Sequence, residues 1–476
     1  MILYQSTLGQ APKVDFETAV LQGLAPDGGM YVPTELPRVT HQQLEAWKGL
    51  SYPDLAHKVL SLFIDETTMP VMDLKKLIDA SFSTFSHPEV IPHHQLTDDC
   101  YVQELFHGPT LSFKDVAMGF VVNLFDYFLQ RRGEHRTLMV ATSGDTGPAA
   151  AHASIGKTSL STWLFFPTGL ITDEQVRQMT TIMAPNVHPV AVNNCKNGSD
   201  DLDELIGRCF SDDDFREEME LSSVNSINWA RVMTQTVHYF YGYLRHAERV
   251  GDPVNFAVPC GAFGNMCSGS MARRMGLPVG EMIMANNANV TLSQALDTGV
   301  FRKLDIKNTL ASAIDISVPM NFWRHLYFSL DGDADRIREA WETYESEGVV
   351  RFSAVEHTAF KKGFLTYTVT DDNILATTRS LWQQENYLLD PHGAVAVAAA
   401  RHYRPQFSGP IVCLATAHPA KFPDTIRLAI GELPVDGMHD TLEAERSACE
   451  RKYVCEFATM QQAVPEVMRT VMANKR

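Results

Sequence analysis

A chain of 476 residues that is 45% hydrophobic exceeds what one compact core organises, so two or three domains are expected. Its formal net charge of −17 works against gripping a phosphodiester backbone, which needs clustered Lys and Arg, and this sets nucleic acid aside as a partner. No run is apolar for long enough to span a bilayer, "MILYQSTLGQAPK" lacks the order of a signal peptide, and the eight cysteines are scattered without a CxxC pair. A cytoplasmic protein with reduced thiols and no membrane or metal partner is therefore expected.

In chain order, residues 1–95 carry helical patterns, "HQQLEAWKGL" and "YPDLAHKVLSLFI", with turn chemistry at "APDGG", and predict an N-terminal helical region. From about residue 100, β-rich and helical runs alternate: "RTLMVATS", "GPAAAHASIG", "TWLFFPTG", "TDEQVRQMTTIM" and "HPVAVNN". That alternation predicts βαβ units and a mostly parallel sheet. "PVNFAVPCGAFGN" reads as a buried strand and a glycine turn, and "MCSGSMARRMGLP" as a helix ended by Gly276 and Pro278. The charged "LDGDADRIREAWETYESEG" reads as a solvated helix, residues 371–404 as two helices, and "GPIVCLATAHPAKFPD" as a strand running into a loop. The last forty or so residues read as a peripheral helical tail.

Four segments carry chemistry. "LFHGPTLSFKD" sets Lys114 among hydroxyls and apolar side chains, with Thr110 and Ser112 as candidate donors to a phosphate and His107 either contacting substrate or ordering the loop. In "ATSGDTGPAA" a strand meets a helix opened by Pro148, where free amides and the hydroxyls of Ser143 and Thr146 suit a carboxylate or phosphate; an ordinary turn capped by Asp145 is an equal reading. "PCGAFGNMCSG" brackets Ala262 and Phe263 between Gly261 and Gly264, an anion nest that is neither GxGxxG nor a P-loop. "LATAHPAKFPD" brings Thr416 and His418 off a strand end, where ligands sit in open α/β sheets. "VNSINWAR", taken alone, is better explained by helix capping at Asn228 than by ligand binding. His392 and His418 lack the spacing of a metalloenzyme motif. A desolvated lysine, one phosphate cradle and one carboxylate turn are together the requirements of pyridoxal 5′-phosphate with an amino acid.

"VDFETAVLQGLAPDGGMYVP", "LFHGPTLSFKD", "ATSGDTG", "VNSINWAR", "DPHGAVAV" and "TAHPAKF" resemble, in the same order, the motifs of the long threonine synthases. The resemblance implies an α/β fold of type II, tryptophan synthase β-like, with two domains of parallel or mixed sheet after the N-terminal region. The larger would comprise residues 96–132 and 232–430, the smaller 133–231, and the tail 431–476. It implies that Lys114 joins pyridoxal 5′-phosphate covalently and moves protons among Cα, Cβ and Cγ. Gly261, Ala262, Phe263, Gly264 and Asn265 would cradle the cofactor phosphate, Asp145 would lie near the 3′-hydroxyl, and Thr416 would face the pyridine nitrogen. Ser143, Gly144, Thr146 and Gly147 would take the substrate carboxylate, with Thr110, Ser112 and Asn228 also at the substrate.

The implied reaction is phosphate loss from O-phospho-L-homoserine followed by hydration to threonine, in a monomer or homodimer. Departures occur at Leu170, Ala262, Val290 and Met320, where true synthases carry polar or basic residues. "NGSDDLDELI" and the "GAxGN" loop are similar to the threonine synthase-like phospho-lyases, which give 2-oxobutyrate, ammonia and phosphate. An inactive amino-acid-binding homologue fits less well, because Lys114 and Thr416 are both kept.

Overall fold

The computed structural model describes residues 2–97 and 99–473. The apolar runs after residue 100 pair into two sheets. The small sheet has the order Tyr453–Glu456, Val187–Asn193, Leu160–Pro167, Arg136–Ala141, Leu221–Ser222, all neighbours parallel. The large sheet has the order Phe364–Thr368, Val279–Asn286, Val254–Pro259, Ile411–Ala415, Cys100–Glu104, His93–Gln95, parallel except for the last strand. Helices on the sheet faces explain why strands such as Leu160–Pro167 are buried at every residue instead of alternating. The architecture is the expected α/β arrangement of two parallel or mixed sheets.

Two helices that are apolar over most of their circumference lie at the centre. Lys114–Arg132 buries twelve residues and is stopped by Gly133 in the left-handed conformation, while Trp229–His246 is buried from Trp229 to Leu244. The N-terminal region packs onto them through Tyr4 against Phe16 and Trp229, and through Phe16 against Phe128.

Three elements differ from the sequence expectations. The N-terminal region is not purely helical, because Tyr4–Ser6 pairs antiparallel with Tyr31–Pro33 and His93–Gln95 joins the large sheet. The charged helix, Ala334–Glu347, buries Ile337, Ala340 and Tyr344, a stripe at helical spacing on an otherwise solvated surface. The tail is not only helical: Tyr453–Glu456 extends the small sheet, and the helix Met460–Ala473 buries Met460, Val464 and Met468 in the same cluster as Trp163. Without them the strand Val187–Asn193 would present an open, apolar sheet edge. Among the described residues no helix is long and apolar enough to cross a membrane.

Candidate active site

The loop carrying Lys114 follows the strand Cys100–Glu104 and is fastened to the neighbouring strand's exit by three backbone bonds. Leu105 N–H donates to Ala415 O (2.9 Å), Phe113 N–H to Thr416 O (2.8 Å) and His418 N–H to Leu111 O (3.0 Å). Leu111 takes a positive φ of 59° to make this turn. The loop delivers Lys114 as the first residue of its helix, half-buried, with its ammonium 4.3 Å from the Phe113 ring. Removal from water pushes this amine down to about 7; Arg231 and Lys421 add repulsion and Asp145 opposes it. An amine that is partly neutral near pH 7 is the form a carbonyl carbon reacts with.

Arg231 is fully buried on the helix Trp229–His246. One guanidinium nitrogen donates to Val224 O (3.2 Å), Nε has no partner, and burial lowers it to about 10, well above neutrality. Among the described residues no carboxylate pairs with Lys114 or Arg231. A buried guanidinium whose printed partner is a carbonyl makes a site that calls for an anionic ligand.

Lys421 lies in "TAHPAKF", whose local pattern assigns it no role. It is 0% exposed, ion-pairs with Asp145 at 2.7 Å and donates to the Thr110 carbonyl at 3.0 Å. Burial works against the Asp145 carboxylate, yet Lys421, His392 and the Gln175 amide (3.0 Å) together hold it below its usual range. Gln178 also donates to Thr110 O (3.1 Å). Thr110 in turn directs its N–H (2.8 Å) and hydroxyl (2.7 Å) to Asp115, whose carboxyl burial raises to about 6 against those bonds. In this arrangement the Thr110 hydroxyl proton is directed to Asp115. Ser112 Oγ is buried and has no partner, so it remains available.

The turn at residues 142–147 departs from the anticipated anion cradle in one respect. Gly144 and Gly147 N–H both donate to Thr142 Oγ1, at 3.0 and 2.9 Å. Neither amide is left for a carboxylate, and the glycines serve close packing: a Cβ at Gly144, where φ is 125°, would collide with the Gln175 amide. The half-buried Ser143 and Thr146 hydroxyls stay at the turn, Ser143 Oγ reaching Ala313 O at 3.4 Å. Ala313 is positioned by His392, whose Nε2 accepts from its N–H (3.1 Å) while Nδ1 meets Asp390 (2.6 Å).

The loop Gly261–Asn265 opens the helix Gly264–Arg274 with Phe263 in the left-handed region, φ 63°. The Phe263 ring packs 5.3 Å from Phe322 and 5.4 Å from His325, which holds the residue in its positive-φ conformation. Gly261 needs to be glycine because an added Cβ would stand 2.9 Å from Ile314 Cα. Asn265 is drawn toward the Trp229 helix: its Oδ1 accepts from His238 Nε2 and the Tyr239 hydroxyl, both 2.9 Å, and its buried Nδ2 is left without a partner. Thr416 stands beside the Lys114 loop through its carbonyl, 6% exposed.

The Asn228 side chain makes structural bonds on both its oxygen and its nitrogen. Its Oδ1 caps Ala230 N–H (3.0 Å) and both amide hydrogens go to Val20 O (2.8 Å) and Ser223 O (3.1 Å). Asn228→Ala is expected to cost about 1–3 kcal/mol of stability by denaturant titration with KM unchanged; a raised KM at unchanged stability would return it to the substrate. The departures lie nearby in sequence to these parts. Leu170 is in the turn before the helix carrying Gln175, Met320 precedes Asn321, whose amide would stand 3.4 Å from a Cβ at Gly264, and Val290 opens the helix Thr291–Thr298.

Three family patterns match the chain: threonine synthase N terminus over residues 3–82, pyridoxal-phosphate dependent enzyme over 89–351, and threonine synthase C-terminal over 393–468. A threonine synthase of Schizosaccharomyces pombe is 37% identical over 90% of this chain and 89% of its own. The chain belongs to the threonine synthase family. Threonine synthase-like 2 of Xenopus laevis is 39% identical over 89% of both chains. The pyridoxal-phosphate-bound threonine synthase of Brucella melitensis superposes with a TM-score of 0.91 at 38% identity over 99% of each chain. The residues present fit the cofactor of that family: an amine held near neutrality, an unpartnered Ser112 hydroxyl, an unpartnered Asn265 amide, and a glycine turn whose backbone lies close to its neighbours.

Proposed function

We propose that this chain binds pyridoxal 5′-phosphate on Lys114 and converts O-phospho-L-homoserine and water to L-threonine and phosphate. The observation that carries the reading is the partly neutral Lys114 amine beside the buried Arg231 guanidinium, with the turn Gly261–Asn265 nearby. The phosphate of a phosphorylated amino acid offers that guanidinium a charge-assisted partner. The cofactor, when bound, supplies the electron sink for a carbanion next to the amino-bearing carbon.

The chain's own residues then divide the work. Once displaced from the cofactor by the substrate's amino group, the neutral Lys114 amine would take the proton from Cα and handle those at Cβ and Cγ. Arg231 and Ser112 hold the phosphate on Cγ and stabilise it as it leaves. The Ser143 and Thr146 hydroxyls orient the carboxylate, and Asp145, Thr416 and the amides of Gly261 to Asn265 orient the ring and its phosphate. We place the enzyme in the cytoplasm as a monomer or homodimer, in keeping with eight scattered cysteines without a CxxC pair.

A second reading is supported by the similarity to threonine synthase-like 2 and by apolar Leu170, Val290 and Met320. Fewer polar groups would deliver water to Cβ less well, and the same phosphate loss would end in 2-oxobutyrate and ammonia. Incubating the loaded enzyme with O-phospho-L-homoserine and measuring phosphate, threonine and 2-oxobutyrate together separates them. Phosphate equal to threonine is expected; phosphate equal to 2-oxobutyrate selects the second reading, and no phosphate rejects both.

A further inference from the structure

A lysine with no exposed surface is uncommon and needs a stated partner. Lys421 has two, and they belong to different parts of the site. Asp145 opens the helix that follows the small-sheet strand Arg136–Ala141, while Thr110 lies on the loop leaving the large sheet toward Lys114. The ammonium itself comes from the turn Pro419–Lys421 after the strand Ile411–Ala415. One buried charge thus ties three segments together.

We propose that Lys421 is the positioning residue of this site, fixing the Lys114 loop through the Thr110 carbonyl and keeping Asp145 an anion aimed at the cofactor ring. The inference rests on the pyridoxal phosphate reading above. Lys421 has no need to touch substrate; it acts through Asp145 and Thr110. Asp145 faces Lys421 from the turn, His392 from the helix Pro391–Tyr403 and Lys114 from its own helix, and Gln175 donates to it from Asp173–Thr180. Lys421 is also within electrostatic reach of Asp115, His418 and Glu445. With Lys421 removed, burial alone governs the Asp145 carboxyl, which then takes up a proton at a higher pH than in the native protein.

The test compares holoenzyme carrying Lys421→Met, Asp145→Asn and both. For Lys421→Met, kcat at neutral pH is expected to fall about a hundredfold through misplacement of the reacting groups, with KM moving much less. Its pH profile should acquire an acidic limb, with activity partly regained as pH rises and Asp145 ionises again. The same limb should appear in the pH titration of the bound cofactor's visible absorbance. Both signatures should be absent from Asp145→Asn and from the double variant, because the residue that titrates is gone. A Lys421→Met protein with lowered melting temperature but native pH profile and absorbance would reduce Lys421 to structural filling and overturn the inference. Should Lys421→Met not fold, Lys421→Gln keeps a donor for Thr110 without the charge and reads the same limb. If the wild-type protein shows no visible band that depends on Lys114, it is the cofactor reading that fails.

Discussion

Lys114→Ala is expected to abolish turnover, lowering kcat by at least about ten-thousandfold, the range seen when a group central to a catalytic unit is lost. The protein should still fold, because Lys114 is half-buried and its side chain makes no ion pair among the described residues. The visible absorbance of the bound cofactor should disappear while fluorescence still reports weak, reversible binding through the cradle at Gly261 to Asn265. The amine's depressed value of about 7 adds a second readout. Only the unprotonated amine attacks a carbonyl, so the rate at which pyridoxal phosphate loads onto the apoenzyme should rise about tenfold per pH unit below pH 7 and level off above it. Loading that keeps climbing to pH 10 would mean an ordinary surface lysine. Turnover surviving in Lys114→Ala would move the chemistry to another residue.

What sequence could say about this site depended on whether a residue's role is local. Lys114, the 261–265 turn and Thr416 stand in segments whose glycines, hydroxyls and strand ends announce a ligand within a dozen residues. Lys421 stands in a quoted motif too, but its meaning comes from Asp145 and Thr110, which only the folded chain brings to its ammonium. Arg231 ends "VNSINWAR", yet that no carboxylate among the described residues pairs with it is a fact of packing.

Thr142 shows the opposite limit: a hydroxyl one residue before the recognised turn takes the two amides that the turn offered to a ligand. The tail strand Tyr453–Glu456 has four residues, too few for alternation to announce it, and exists because the small sheet needs an edge covered. The charged helix hid its buried stripe because three apolar residues at helical spacing, Ile337, Ala340 and Tyr344, sit among many acids and bases.

Arg231→Met separates ligand binding from folding by giving the two opposite signs. In the apoenzyme the guanidinium is buried with one carbonyl partner and an orphaned Nε, so replacing it by an apolar side chain of similar length should leave the melting temperature unchanged or raise it. Added inorganic phosphate should stabilise the wild type and lose that effect in the variant, because only a bound anion compensates the buried charge. For O-phospho-L-homoserine the loss of a buried charge contact is about 2–5 kcal/mol, so kcat/KM should fall by roughly thirtyfold to several thousandfold. Cofactor retention should change little, since the cradle at Gly261 to Asn265 and Lys114 are untouched. A variant that is less stable as apoenzyme and still responds to phosphate would make Arg231 a packing residue and leave the γ-phosphate to Ser112 and the loop amides. A variant that loses the cofactor with native phosphate response would assign the guanidinium to the cofactor's phosphate. The three outcomes differ in apo stability, phosphate response and retained absorbance, so one set of melting curves and spectra decides which anion this cation was buried to meet.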